Sequence, residues 1–82
     1  MGRGSYQGPL KVSYNKLWKL LIDKNMNSSE LGRKAVLASG TLSKMRKNEP
    51  ISMDTVLKIC EVLDCDVADI LEILRNKQED NL

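Results

Sequence analysis

Between residues 13 and 74 the apolar side chains return at intervals of three and four, in short runs, and never in the strict alternation of a half-buried strand. That period is helical, and the brevity of each run forces several short helices to share one core. Each run opens on a residue suited to capping. Ser13 precedes Leu17, Leu20, Leu21 and Lys24, with Tyr14 and Trp18 one turn apart. Asn25-Met26-Asn27 interrupts, and Asn27 or Ser28 caps a second helix through about Ala35, with Glu30 in the first turn where the helix dipole favours an acid. A third helix is expected from about Ser39 to Lys47 over Leu42 and Met45, ending at Asn48-Glu49-Pro50 because Pro50 disfavours helical geometry at Glu49. Ser52 caps a fourth, carrying Met53, Val56, Leu57, Cys60 and Leu63. Asp66, with Asp69 three residues on, opens a fifth along Val67, Ile70, Leu71 and Leu74, widened by Ile73. The fold class is therefore all-α, a compact bundle of five short helices with no strand.

An 82-residue chain is one domain. The folded part is placed at 11–76. Residues 1–10, with three glycines and a proline, are expected to be a flexible leader or an expression tag, so that Arg3 is a tag residue before it is a minor-groove arm. Residues 77–82 are expected to be a frayed tail. Only Tyr6, Tyr14 and Trp18 are aromatic, so aliphatic residues fill the core; Trp18 among Leu17, Leu20 and Leu21 belongs there, and Met26, Met45 and Met53 fill gaps. No apolar run approaches the roughly 20 residues of a membrane span, which predicts a soluble, cytoplasmic protein.

Histidine is absent, which removes Ser-His and Cys-His nucleophile pairs, and no glycine-rich phosphate loop is present; an enzyme is not expected. Cys60 and Cys65 cannot complete a zinc site by themselves. They are expected as reduced thiols in or near the core. Neither metal nor cofactor is expected.

The net charge of +2 conceals a polar arrangement. Residues 1–27 hold five basic and one acidic side chain, net +4; residues 28–48 hold five and one, again +4; residues 49–82 hold three and nine, net −6. A basic front with an acidic back favours a polyanion on one side.

Function is concentrated in SSELGRKAVLASGTLSKMRK, residues 28–47. Two short helices crossing steeply need Leu31 and Ala35 inward, a small residue such as Gly32 where they approach, Leu37 at the corner, and Leu42 and Met45 beneath the third helix. Ser39, Gly40, Ser43, Lys44 and Lys47 then lie on its opposite face, short or basic, as a major groove requires.

The stretch ELGRKAVLASGTLSKMRKNE resembles the helix-turn-helix of Cro/repressor-type (xenobiotic-response-element-like) transcriptional regulators, and the flanking VSYNKLWKLLIDKNM and ISMDTVLKICEVLDCDVADI extend the resemblance over about residues 12–74. The resemblance implies a five-helix, lambda-repressor-like domain that binds double-stranded DNA through its third helix, usually as a dimer on a near-palindromic operator. Carried over, it implies Ser28 on phosphate, Ser39, Gly40, Ser43 and Lys44 at base edges, and Lys47 and Asn48 on the backbone at the groove's edge. The pattern departs at two positions. Val36 stands where glycine is usual, and Ala38 where a Ser or Thr cap is usual, so that capping passes to Ser39. The expected role is a small repressor, forming a weak homodimer through Ile73 and Leu74 near the fifth helix. The competing class is a protein-interaction module of the antitoxin or antirepressor-binding type, gripping its partner with the acidic fourth and fifth helices.

Overall fold

The computed structural model describes residues 6 and 8–75; the expectations for Arg3 and the 77–82 tail lie outside them. The chain forms β1 (Lys11–Ser13), α1 (Asn15–Asp23), α2 (Ser28–Lys34), α3 (Thr41–Arg46), α4 (Met53–Leu63), a 3-10 turn at Val67–Asp69 and β2 (Glu72–Leu74). The domain is mostly helical, but four helices and a short strand pair stand where five helices and no strand were expected. β1 and β2 run antiparallel with Lys11 opposite Leu74, Val12 opposite Ile73 and Ser13 opposite Glu72. The expected fifth helix has its signal at Asp66: the carboxylate accepts from Val67 N and Asp69 returns the bond to Asp66 N, a complete capping box. One turn follows, and then the chain extends, because pairing with β1 satisfies the backbone of Glu72–Leu74 that a helix would otherwise satisfy.

The core is Tyr14, Leu17, Leu21, Leu31, Ala35, Met45, Val56, Ile59, Leu63 and Ile70. Trp18, Met26, Leu37, Leu42 and Cys60 pack against it partly buried. Met53 and Leu57 face outward instead, since α4 turns Val56, Ile59 and Leu63 inward; the expected stripe was rotated from the buried one. Ser13 is fully buried in β1 and its Oγ accepts from Asn15 N at 3.2 Å, but the cap position of α1 falls on Tyr14 and the helix begins one residue later than a Ser13 cap implies.

Each of the four helices closes on a left-handed residue: Asn25, Val36, Asn48 and Asp64, with φ of 58°, 54°, 58° and 53°. After α1, α2 and α3 the next two amide groups turn back onto carbonyls of the last turn, a Schellman closure. Met26 N donates to Leu21 O, Leu37 N to Gly32 O and Glu49 N to Lys44 O, each at 2.9 Å. These sharp stops let so short a chain fold its helices back on one core.

Candidate nucleic-acid interface

Helix α2 starts on an Asn27 cap whose Oδ1 accepts from Glu30 N at 2.7 Å, which settles the choice between Asn27 and Ser28. Ser28 is left free as the first helical residue, half-buried. Its Oγ accepts a hydrogen bond from Arg46 Nη2 at the end of α3. Since the hydroxyl is used there as an acceptor, its own proton remains available to an anion outside. Arg46 ties the two helices together, a role the sequence reading missed: a basic residue in a charged run carries no mark of which neighbour it faces.

Helices α2 and α3 approach closely at Gly32, where an added β-carbon would stand 3.2 Å from Leu42 Cδ1. Met45 is fully buried and Leu42 half-buried beneath α3. Its outer face is exposed and carries Ser43, Lys44 and Lys47, spaced i, i+1 and i+4. The expected start of this helix at Ser39 is corrected. Ser39 and Gly40 form the exposed turn before Thr41, Gly40 holds the cap position, and no side chain caps the helix. Ser39 does not take over capping; the Thr41 amide goes to Ala38 O at 3.0 Å. Five of the expected residues, Ser39, Gly40, Ser43, Lys44 and Lys47, thus fall on one short exposed segment. Asn48 follows it in the left-handed conformation, and Ser28 is joined to it through Arg46.

The end of α3 is held from below. The buried Tyr14 phenol donates to Glu49 O at 2.6 Å, across 35 residues of sequence. Burial pushes its pKa above the ordinary 10.0, so the donor stays protonated. Beside this anchor, Lys11 of β1 lines one groove with Lys47, Asn48 and Glu49, and Tyr6 lines a neighbouring one with Lys44. Sequence reasoning placed neither Lys11 nor Tyr6 at this surface, because only the β pairing brings the chain's start to the end of α3.

The cations of α1 lie elsewhere. Lys16, Lys19 and Lys24 surround a groove shared with Asp23, Asp64 and Asp69, so much of the basic front is set against the acidic back. Lys34 pairs with Glu30 at 3.7 Å. Lys44, Arg46 and Lys47 lie at the end of α3, with Lys11 beside them.

Among the described residues no helix is long and apolar enough to cross a membrane. The family model of the Cro/C1-type HTH DNA-binding domain matches residues 16–75. Among solved structures, the chain is similar to the crystal structure of transcriptional regulator VanUg. The two are 44% identical, the match covers 90% of this chain and 99% of that one, and the TM-score is 0.82. No curated protein matches.

Proposed function

The chain belongs to the Cro/C1-type helix-turn-helix DNA-binding family, and from that premise we propose that it is a small transcriptional repressor that reads operator DNA with α3 in the major groove. The observation that carries this reading is one exposed segment, the turn at Ser39 and Gly40 followed by Ser43, Lys44 and Lys47 along and just past α3, over a face buried by Met45. Small residues let the helix seat deeply, and Lys44 reaches guanine O6 or N7 from mid-helix. Lys47 and Asn48, past the last helical turn, meet phosphates. Ser28 contributes its free hydroxyl proton to another phosphate, held in place by Arg46.

One domain reads one half-site, so the regulator acts as a weak homodimer on half-sites about 34 Å apart. The exposed Ile73 and Leu74 of β2 supply the contact. They sit on a strand rather than a fifth helix, next to a sheet edge able to pair with a second copy. A footprint limited to a single half-site would count against the dimer.

The test of readout compares Lys44→Ala with Lys47→Ala. Lys44→Ala costs about 1–3 kcal/mol on the best operator and relaxes preference at one or two base pairs. Lys47→Ala weakens all sequences about equally and makes the salt slope, near −4 for four to five phosphate contacts, shallower by roughly one. Uniform loss in both variants would make Lys44 a phosphate clamp, and a wild-type slope near zero would sink DNA binding itself.

A further inference from the structure

The corner after α4 brings together two groups that DNA binding does not use. Cys65 N donates to Cys60 O at 3.1 Å across the left-handed Asp64, which folds the two residues onto the same side of the turn. Both are free, half-buried thiols packed against the core. The Cys65 side opens on a groove of about 440 Å³ lined by Lys16, Lys19, Lys24, Asp64 and Asp69, wide enough for a small solute. A disulfide requires its two backbones to lie close, and the Cys65 N to Cys60 O hydrogen bond holds these two together across the turn.

We propose that Cys60 and Cys65 form a reversible dithiol–disulfide pair that locks the corner after α4 in response to a peroxide. Each sulfur gives up its proton, one S–S bond forms, and the two electrons and two protons cleave the peroxide O–O bond, leaving two waters when the oxidant is hydrogen peroxide. A small dithiol reverses the step by exchange and leaves as its own disulfide. Burial, then the neighbouring Cys60, pushes the Cys65 thiol up to about 11. Its thiolate is scarce at neutral pH, so closure answers sustained exposure rather than a brief pulse. The lock ties the C-terminus of α4 to the segment that carries Ile70 into the core and leads into β2.

The experiment treats the full chain with excess hydrogen peroxide, removes the oxidant, and counts free thiols by alkylation and intact mass. The expected product is monomeric on a non-reducing gel, lighter by two hydrogens, without alkylatable thiols, and restored to two thiols by dithiothreitol. Its Tm rises by a few degrees over the reduced chain, because the cross-link constrains the unfolded state. The Cys60→Ser and Cys65→Ser variants show neither the mass loss nor the Tm rise. Two thiols remaining after prolonged oxidation, or products consisting of inter-chain dimers or sulfinic acids, would overturn the proposal. The wild-type measurements decide it even if a serine variant folds poorly.

Discussion

The corner after helix α2 turns at Val36 and the corner after helix α3 turns at Asn48, and the two have nearly the same backbone. Val36 has φ 54° and its amide reaches Arg33 O at 3.3 Å; Asn48 has φ 58° and its amide reaches Met45 O at 3.0 Å. In each, the following amide closes onto the carbonyl five residues back at 2.9 Å. The side chains are chemically opposite. Asn tolerates the left-handed region, whereas a β-branched Val is strained there by on the order of 1–3 kcal/mol. Val36 recovers little of this by burial, being 75% exposed. The backbone hydrogen bonds and the packing of Leu31, Ala35 and Leu37 therefore impose the turn, and the corner residue only sets its cost.

The largest expected effect lies at the Asn48 corner, which the buried Tyr14 anchors through Glu49 O. Tyr14→Phe removes the donor to Glu49 O and costs about 1–3 kcal/mol in urea unfolding. The sign of its pH dependence follows from the raised Tyr14 pKa. The stabilisation is complete below the unfolded value of 10.0 and is lost as pH rises through the folded one, since the unfolded phenol ionises first. The Phe variant should lack that part of the alkaline loss; equal alkaline loss in both proteins would remove Tyr14 from the account.

Next comes Val36→Gly, which relieves the left-handed strain, partly offset by the greater freedom of glycine in the unfolded chain. A net gain of about 1 kcal/mol is expected, with operator preference unchanged. A clear loss of stability would show that the Val36 side chain makes a contact worth more than its strain. Val36→Asn copies the other corner and should gain less, roughly 0.5 kcal/mol. If it gains more than Val36→Gly, backbone strain is the wrong explanation.

Asn48→Gly is expected to be smallest, within about 0.5 kcal/mol in stability. Any loss should appear in DNA affinity, uniformly across sequences, since Asn48 is proposed to touch phosphate. A gain as large as that of Val36→Gly would erase the distinction between the corners.

The helical signals succeeded where a local rule was enough. Ser52 caps α4 by accepting from Thr55 N at 3.2 Å, Asp66 and Asp69 form their reciprocal pair, and Val36, standing where glycine is usual, takes the left-handed conformation that glycine favours. They failed where the answer depended on a distant segment. Val67–Leu74 has a helical stripe, yet only its first turn is helical, because β1 pairs with its second half. Met53 and Leu57 fit the α4 period as well as Ile59 does; which stripe is buried depends on the helices that meet it.

For the candidate interface the division is the same. By sequence alone the first four helices were legible, roughly with their stops, as was the exposed face of the third with Ser43, Lys44 and Lys47, although a fifth helix was expected that is a single 3-10 turn and a strand. These follow from capping chemistry, the proline after Glu49 and a period of 3.6, all local along the chain. Only the tertiary structure decided that Arg46 turns back to Ser28, that Tyr14 holds Glu49, that Lys11 comes to lie beside Lys47, and that the lysines of α1 face the acidic back. Those relations join residues 18 to 36 positions apart or more in sequence. Their partners are chosen by how the shared core closes, and no local pattern records that choice.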